Sequence, residues 1–142
     1  MFSSLRVIIL AAAIPQSAYA QCVAQKPENF QRFFDTFAAS KQFALSRTLY
    51  PLKIETSRNG IDAQGRQRSG ISVSFRSAQE DARGESLSGE MERNALSYKI
   101  LSLGKGRAVV NVSGQGDGFL FNHHFARKGN CWFEVKLEDY SI

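Results

Sequence analysis

Two adjacent histidines, His123 and His124, are the residues of this chain whose chemistry is most suggestive. Histidine can ligate metals and can act as a general acid or base near neutral pH. Both lie in a segment whose alternating apolar residues predict a strand, and neighbouring residues of a strand point to opposite faces. One metal ion therefore cannot take both side chains, and the chain has no third histidine. We predict no metal site and no cofactor.

Catalysis remains open to whichever histidine points inward, as a general base beside a carboxylate. The acids that strand pairing could bring near are Asp35, Glu134, Glu138 and Asp139. The alternative interpretation packs one imidazole with Phe121 and Phe125 and leaves the other in solvent. No second catalytic set appears, because the chain has no G-x-S-x-G motif.

The first twenty residues have the pattern of a secretory signal peptide. Arg6 is the positive charge, Val7–Ile14 is an apolar run too short to span a bilayer, and an A-x-A cleavage motif ends at Ala20. We predict cleavage between Ala20 and Gln21, which leaves residues 21–142 as a single domain. The predicted location is periplasmic or secreted, with no membrane segment after cleavage.

An exported chain with an even number of cysteines usually pairs them, so Cys22 and Cys131 are predicted to form a disulfide. Removing Arg6 with the signal peptide lowers the formal net charge from +5 to +4. The basic residues are scattered and no nucleic-acid motif is present, so nucleic acid is not an expected partner.

The elements that must position these residues begin with a helix. Apolar residues spaced by three and four predict an amphipathic helix between Pro27 and Ala39: Phe30, Phe33, Phe34, Phe37 and Ala38. Four phenylalanines on one face need a wide apolar partner, and most of the following chain predicts strands. Ser40 is placed to cap a second, short helix.

Six strands are predicted after the helices. The first two are Thr48–Thr56, ended by a turn at residues 57–60, and Gln67–Arg76, half-buried through Ile71, Val73 and Phe75. The polar stretch 77–93 is predicted to be a loop with one helical turn. Four further strands from Ala95 onward form a meander. In the last, odd positions from Cys131 to Leu137 are expected on one face and even positions from Trp132 to Lys136 on the other.

These elements predict an α+β fold, with an N-terminal amphipathic helix packed on a curved, mostly antiparallel sheet of about six strands. Two stretches resemble DUF4348, a family of small exported bacterial proteins: Phe30-x-x-Phe33…Phe37 with Gln42-Phe43-x-Leu45-x-Arg47-x-Leu49-x-Pro51-Leu52, and Phe125 to Val135. The second stretch is also similar to NTF2-like and cystatin-like domains. The resemblance implies a cone-shaped fold with a curved sheet, and it implies no reaction.

Arg47 lies in the first of these stretches, just before the first strand. It is expected to fix the junction of helix and sheet through a carbonyl or a salt bridge with Asp35 or Asp139. Contact with an anion is the alternative.

The expected function is that of an exported, non-enzymatic binding or accessory protein. Its partner is either a small apolar molecule held in the cone or an envelope protein bound to the sheet face or to residues 77–93. The residues expected to contact such a ligand are Phe34, Phe37, Phe121, His123, Phe125 and Trp132. The alternative is an NTF2-like hydrolase or isomerase that uses a histidine in the cone. An inward histidine beside a carboxylate would favour the alternative.

Overall fold

The computed structural model describes residues 22–116 and 118–142, so the predicted signal peptide and its cleavage site at Ala20 and Gln21 lie outside the described residues. The elements in chain order are α1 (Phe30–Ala39), α2 (Lys41–Ser46), β1 (Thr48–Ile61), β2 (Gln67–Arg76), α3 (Ala78–Ala82), α4 (Leu87–Arg93), β3 (Ser97–Gly104), β4 (Arg107–Ser113), β5 (Leu120–Lys128) and β6 (Cys131–Asp139). The chain is therefore α+β, as predicted.

The six strands form one open, mixed sheet in the order β2-β1-β6-β5-β4-β3. Strand β1 pairs with β6 in parallel, and the other neighbours are antiparallel. The meander from β3 to β6 is the predicted one. The β1–β6 ladder shifts between Thr48 and Lys53, where Pro51 has no N–H to donate.

Helix α1 buries its phenylalanine stripe against one face of this sheet, here called the inner face. Asn29 caps the helix by accepting from Arg32 N at 3.0 Å, so the helix begins at Phe30, three residues after Pro27. The sheet contributes Ala108, Val110, Phe125 and Trp132 to the same core. The Phe125 ring centroid lies between 5.2 and 5.8 Å from those of all four α1 phenylalanines. The predicted packing of an aromatic helix on a sheet is therefore present.

The N-terminal segment is tied to β6. The predicted disulfide between Cys22 and Cys131 is present, with Cα atoms 6.3 Å apart. Both Arg47 Nη atoms donate to the Glu28 carboxylate at 2.8 Å, and Nη1 reaches the Trp132 carbonyl at 3.2 Å. Arg47 thus forms a salt bridge and a carbonyl contact at the junction, but its acid is Glu28 rather than Asp35 or Asp139.

Strand β1 is longer than predicted, and the turn at residues 57–60 is wrong. Those residues pair with Ile71 to Arg68 of β2, so the ribbon continues to Ile61. The chain reverses direction at residues 62–66 instead, because Asp62 Oδ1 accepts hydrogen bonds from the backbone N–H groups of Gln64 and Arg66 at 3.0 and 2.9 Å. An Asx turn of this kind competes well with strand pairing.

The prediction that β2 is half-buried is also wrong. Ile71, Val73 and Phe75 are 71%, 51% and 63% exposed. They lie opposite Ser57, Glu55 and Lys53 on the outer face of an edge strand, away from α1. The alternation of apolar and polar residues predicts the strand correctly, but it does not show whether another part of the protein covers the apolar face of that strand.

Residues 77–93 form two short helices instead of a loop with one helical turn. Ser77 and Glu80 make a reciprocal capping box at the start of α3, with Glu80 Oε2 accepting from Ser77 N at 2.7 Å. Ser86 caps α4 by accepting from Gly89 N at 3.1 Å. The S-x-x-E pattern at residues 77–80 is the sequence signal for the first of these helices.

A bulge in β6 overturns the predicted division of its faces. Residues His124 and Phe125 of β5 pair with Lys136 and Glu134, which leaves Val135 without an opposite residue. Trp132 and Glu134 share the inner face, as simple alternation gives, but beyond Val135 Leu137 takes the place of Lys136 on that face, opposite His123. An extra residue in one strand reverses the alternation beyond it.

Candidate functional site

Three cavities adjoin one another between the inner face and helices α2, α3 and α4. The outermost, here called the vestibule, has a volume of about 330 Å³ and is lined by residues of β2 and all three helices. The inner chamber, of about 80 Å³, reaches Thr48, His123 and Glu134. The side chamber, of about 90 Å³, lies towards Val112 and Phe121. Arg76 and Glu90 line all three, so the cavities are grouped around the same two side chains.

The inner chamber contains a histidine–carboxylate pair. His123 Nδ1 lies 2.6 Å from Glu134 Oε1, and the two side chains are 12% and 6% exposed. Thr48 Oγ1 donates to the Ala44 carbonyl at 2.8 Å and lies 3.3 Å from the other Glu134 oxygen. Nδ1 is directed at the carboxylate, and within the described parts of the chain the His123 ring makes its hydrogen bond at Nδ1 and none at Nε2. A neutral imidazole held in this way can accept a proton at Nε2.

Pairing of β5 with β6 brings these two side chains together. Glu134 lies opposite Phe125, which faces inward, and His123 precedes Phe125 by two residues on the same face, so Glu134 and His123 are diagonal neighbours. The bulge at Val135 places Leu137 rather than Lys136 opposite His123. Glu134 is one of the four acids predicted from the sequence as possible partners of the inward histidine, and in the structure it is the acid that contacts His123. The condition set for the enzymatic alternative, an inward histidine beside a carboxylate, is met by His123.

A second polar cluster lines the same inner chamber. Tyr50 Oη donates to Asp81 Oδ2 at 2.6 Å, and Arg76 Nε lies 2.5 Å from Asp81 Oδ1. The second contact is a close ion pair outside hydrogen-bond angles, because Arg76 Nε has no aligned acceptor. Burial, together with the Asp81 carboxylate, raises the pKa of Tyr50 above its usual range. Tyr50 is therefore a permanent hydrogen-bond donor in this chamber.

Four residues of the site were not predicted from the sequence: Thr48, Tyr50, Arg76 and Asp81. Tyr50 and Arg76 lie at one end of the β1–β2 ribbon, and Asp81 is in α3, which was expected to be a loop. The capping box at Ser77 would have placed a helix there. No sequence pattern would have brought that helix over the chamber, since its position depends on the tertiary fold.

His124 points to the outer face, as expected for the neighbour of an inward residue. Its Nε2 lies 2.9 Å from Glu138 Oε2, an ion-pair distance outside hydrogen-bond geometry. Burial raises the pKa of Glu138, but hydrogen bonds from Lys136 and Asn122, together with His124, outweigh it and lower the value to about 2. This cluster is a charge network on the sheet surface and is separate from the chambers.

The six residues expected to contact a ligand divide into two groups. Phe37 and His123 line the inner chamber, and His123 and Phe121 line the side chamber. Phe34, Phe125 and Trp132 are buried in the aromatic core, outside the linings of these three cavities. Ligand contact by any of the six stays a prediction.

One group of side chains in the described residues has metal-like spacing, namely Cys22, Glu28 and Cys131. Its two cysteines form the disulfide and offer no thiolate. A larger depression of about 500 Å³ lies at the far end of the β1–β2 ribbon, beside Asn59 and Arg68. It is an open groove without converging titratable groups, so the chambers are the stronger candidate. No helix in the described ranges has the length and apolar character to cross a membrane.

Neither a protein-family model nor a curated protein matches this chain, so the resemblance to DUF4348 stays a prediction. Solved structures are similar in fold. An NTF2-like protein from Bacteroides fragilis NCTC 9343 is 22% identical with a TM-score of 0.56, over 84% of this chain and 50% of that protein. This chain thus spans about half the length of that relative.

Two more distant structures have the same kind of description. An NTF2-like protein of unknown function from Silicibacter pomeroyi DSS-3 is 12% identical, with a TM-score of 0.41, covering 80% of this chain and 92% of that one. A cystatin-like domain of unknown function from Nostoc punctiforme is 10% identical, with a TM-score of 0.38, covering 80% and 75%. The likeness to the Bacteroides fragilis protein, together with the helix-covered mixed sheet, shows that this chain has an NTF2-like fold.

Proposed function

We propose that this protein is an exported binding protein that holds a small polar molecule in its cone, between the His123–Glu134 pair and the Tyr50–Asp81–Arg76 cluster. The observation that carries the proposal is the convergence of these two clusters on chambers that open to a vestibule. Buried polar groups of this number are expensive to keep unless they are partnered or used.

The character of the ligand follows from the lining. The sequence predicted either an apolar molecule in the cone or a protein partner, but the aromatic core occupies much of the cone and the chambers that remain carry polar and charged residues. At 80 and 90 Å³, each chamber has the volume of about three water molecules. A small polar head group fits the chambers, and any larger part of the molecule would extend into the vestibule.

Export is supported by the predicted signal peptide and by the Cys22–Cys131 disulfide, since structural disulfides persist mainly in oxidising compartments. Native mass spectrometry of the protein purified from its own host envelope tests the whole proposal. We expect an additional small mass that leaves on denaturation. His123→Gln should lose that mass, and the matched variant His124→Gln should keep it, because the two side chains point to opposite faces. Retention by both variants, or a bare wild-type protein, would contradict the proposal.

A second candidate function is catalysis, with His123 as a general base for a hydrolase or isomerase reaction. It is favoured by the 2.6 Å contact between Nδ1 and Glu134, which orients the ring and leaves Nε2 to accept a proton. Nitrogen-15 NMR of the imidazole tests this role. We expect the tautomer with hydrogen on Nδ1 for neutral His123, and loss of that preference in Glu134→Gln. A neutral ring protonated at Nε2 would exclude His123 as the base.

A further inference from the structure

We infer that the molecule held in the cone is a small organic carboxylate, bound by Arg76 and Lys41. This inference rests on the proposed function and assigns the ligand's chemical class. Its basis is a difference among the charged groups around the vestibule and the inner chamber: most of the acids already have partners within the protein, whereas two of the cations retain hydrogen-bond donors.

The acids of the site are mostly occupied. Glu134 contacts His123, and Asp81 contacts both Tyr50 and Arg76. Two acids at the vestibule are held as well: Glu85 accepts from Arg93 Nε at 2.7 Å, and Glu80 accepts from the Ser77 backbone at 2.7 Å. These four carboxylates have little capacity left for a ligand.

Two cationic groups of the site retain donors. Arg76 forms an ion pair with Asp81 through Nε and lies near the Glu80 charge, and its Nη1 and Nη2 atoms donate no hydrogen bond to the described residues. Lys41 has no ion pair there, although its Nζ lies close to Gly84 at the end of α3. Both residues line the vestibule and the inner chamber. A planar guanidinium with two available N–H groups matches a carboxylate, and an ammonium can add a third charge-assisted bond.

Glu90 gives the ligand a second feature. It lines all three cavities, and its carboxylate accepts no hydrogen bond from the described residues, although it lies near enough to Arg93 to interact with that charge. A negative side chain beside the carboxylate site favours a ligand that also carries a hydrogen-bond donor, such as a hydroxyl or ammonium group. Lactate, a hydroxy acid of six heavy atoms, therefore serves as a probe for the class.

The test is a titration of isotope-labelled protein, followed by NMR at the His123 ring. Lactate is compared with lactamide, which has the same shape without the charge. We expect lactate to shift the ring signals saturably and lactamide to leave them unchanged. Arg76→Gln and Lys41→Gln should each weaken lactate binding about tenfold or more, as expected for a lost hydrogen bond to a charged group. Arg83→Gln removes one positive charge outside the cavities and should leave binding unchanged. The amide spectrum shows whether each variant is folded.

The outcomes separate the two proposals. Equal shifts with lactamide, or equal weakening in Arg83→Gln, would overturn the assignment to a carboxylate. If native mass spectrometry finds a bound molecule that depends on His123 but lactate does not bind, the carboxylate assignment fails and the binding function stands. If no molecule is retained and no probe shifts the His123 ring, both fail.

Discussion

Replacement of Arg47 by methionine tests the reasoning about the helix–sheet junction. Arg47 is 9% exposed and makes three hydrogen bonds, two to Glu28 at 2.8 Å and one to the Trp132 carbonyl at 3.2 Å. Methionine keeps much of the volume but leaves the Glu28 carboxylate without its cation. Removing one member of a buried ion pair costs about 3–5 kcal/mol of unfolding free energy. Because the Glu28 side chain is 21% exposed, water can hydrate it partly and we expect about 3 kcal/mol.

The assay is urea-induced unfolding followed by tryptophan fluorescence, since Trp132 lies at the same junction. The matched control is Arg68→Met, because the Arg68 side chain is 67% exposed and pairs with Asp62 at 3.0 Å. An exposed pair of this kind is worth about 0–1 kcal/mol. A double-mutant cycle with Glu28→Gln should return a coupling of about 2 kcal/mol. A loss below about 1 kcal/mol for Arg47→Met, or a loss equal to that of Arg68→Met, would refute the assignment.

Three further predictions concern stability. The pKa of Glu138 is about 2 instead of the ordinary 4.5, so the ionised carboxylate contributes to the free energy of unfolding above pH 5, and this contribution is lost as the pH falls towards 2. Glu138→Gln should flatten this part of the pH–stability profile. An unchanged profile would contradict the network. The Cys22→Ser, Cys131→Ser double variant should lose about 2–5 kcal/mol in thermal unfolding, and reductant should have no effect on it while destabilising the wild type. Phe34→Ala should cost about 3–5 kcal/mol, since Phe34 is fully buried, whereas Phe75→Ala should cost below about 1 kcal/mol at 63% exposure; similar losses would contradict the described core.

The elements were predictable where local pattern is decisive. The phenylalanine stripe of α1, the cap at Ser40 and the meander from β3 to β6 all follow from spacing and turn residues. The disulfide followed from the cysteine count and the predicted signal peptide. The opposite directions of His123 and His124 followed from strand geometry alone.

The failures have one physical cause, namely that burial depends on neighbours distant in sequence. The alternation of Ile71, Val73 and Phe75 marked a strand but not its place at the sheet edge, so its exposure was missed. The β6 bulge has no sequence marker at Val135, yet it decides that Leu137 rather than Lys136 lies opposite His123 on the inner face. Helix α3 had a capping box that could have been recognised, but its position over the chamber had no local signal.

The sequence by itself determined the helix, the strands, the two cysteines available for pairing and the opposite directions of the two histidines, because these depend on residues close together in the chain. Only the tertiary structure decided which histidine faces inward, which carboxylate it meets, that Arg76 and Asp81 line the same chamber, and how little space remains in the cone. Those features arise where β1, β2, β5 and β6 meet α2, α3 and α4. They are set by long-range strand register and packing, which no local periodicity encodes.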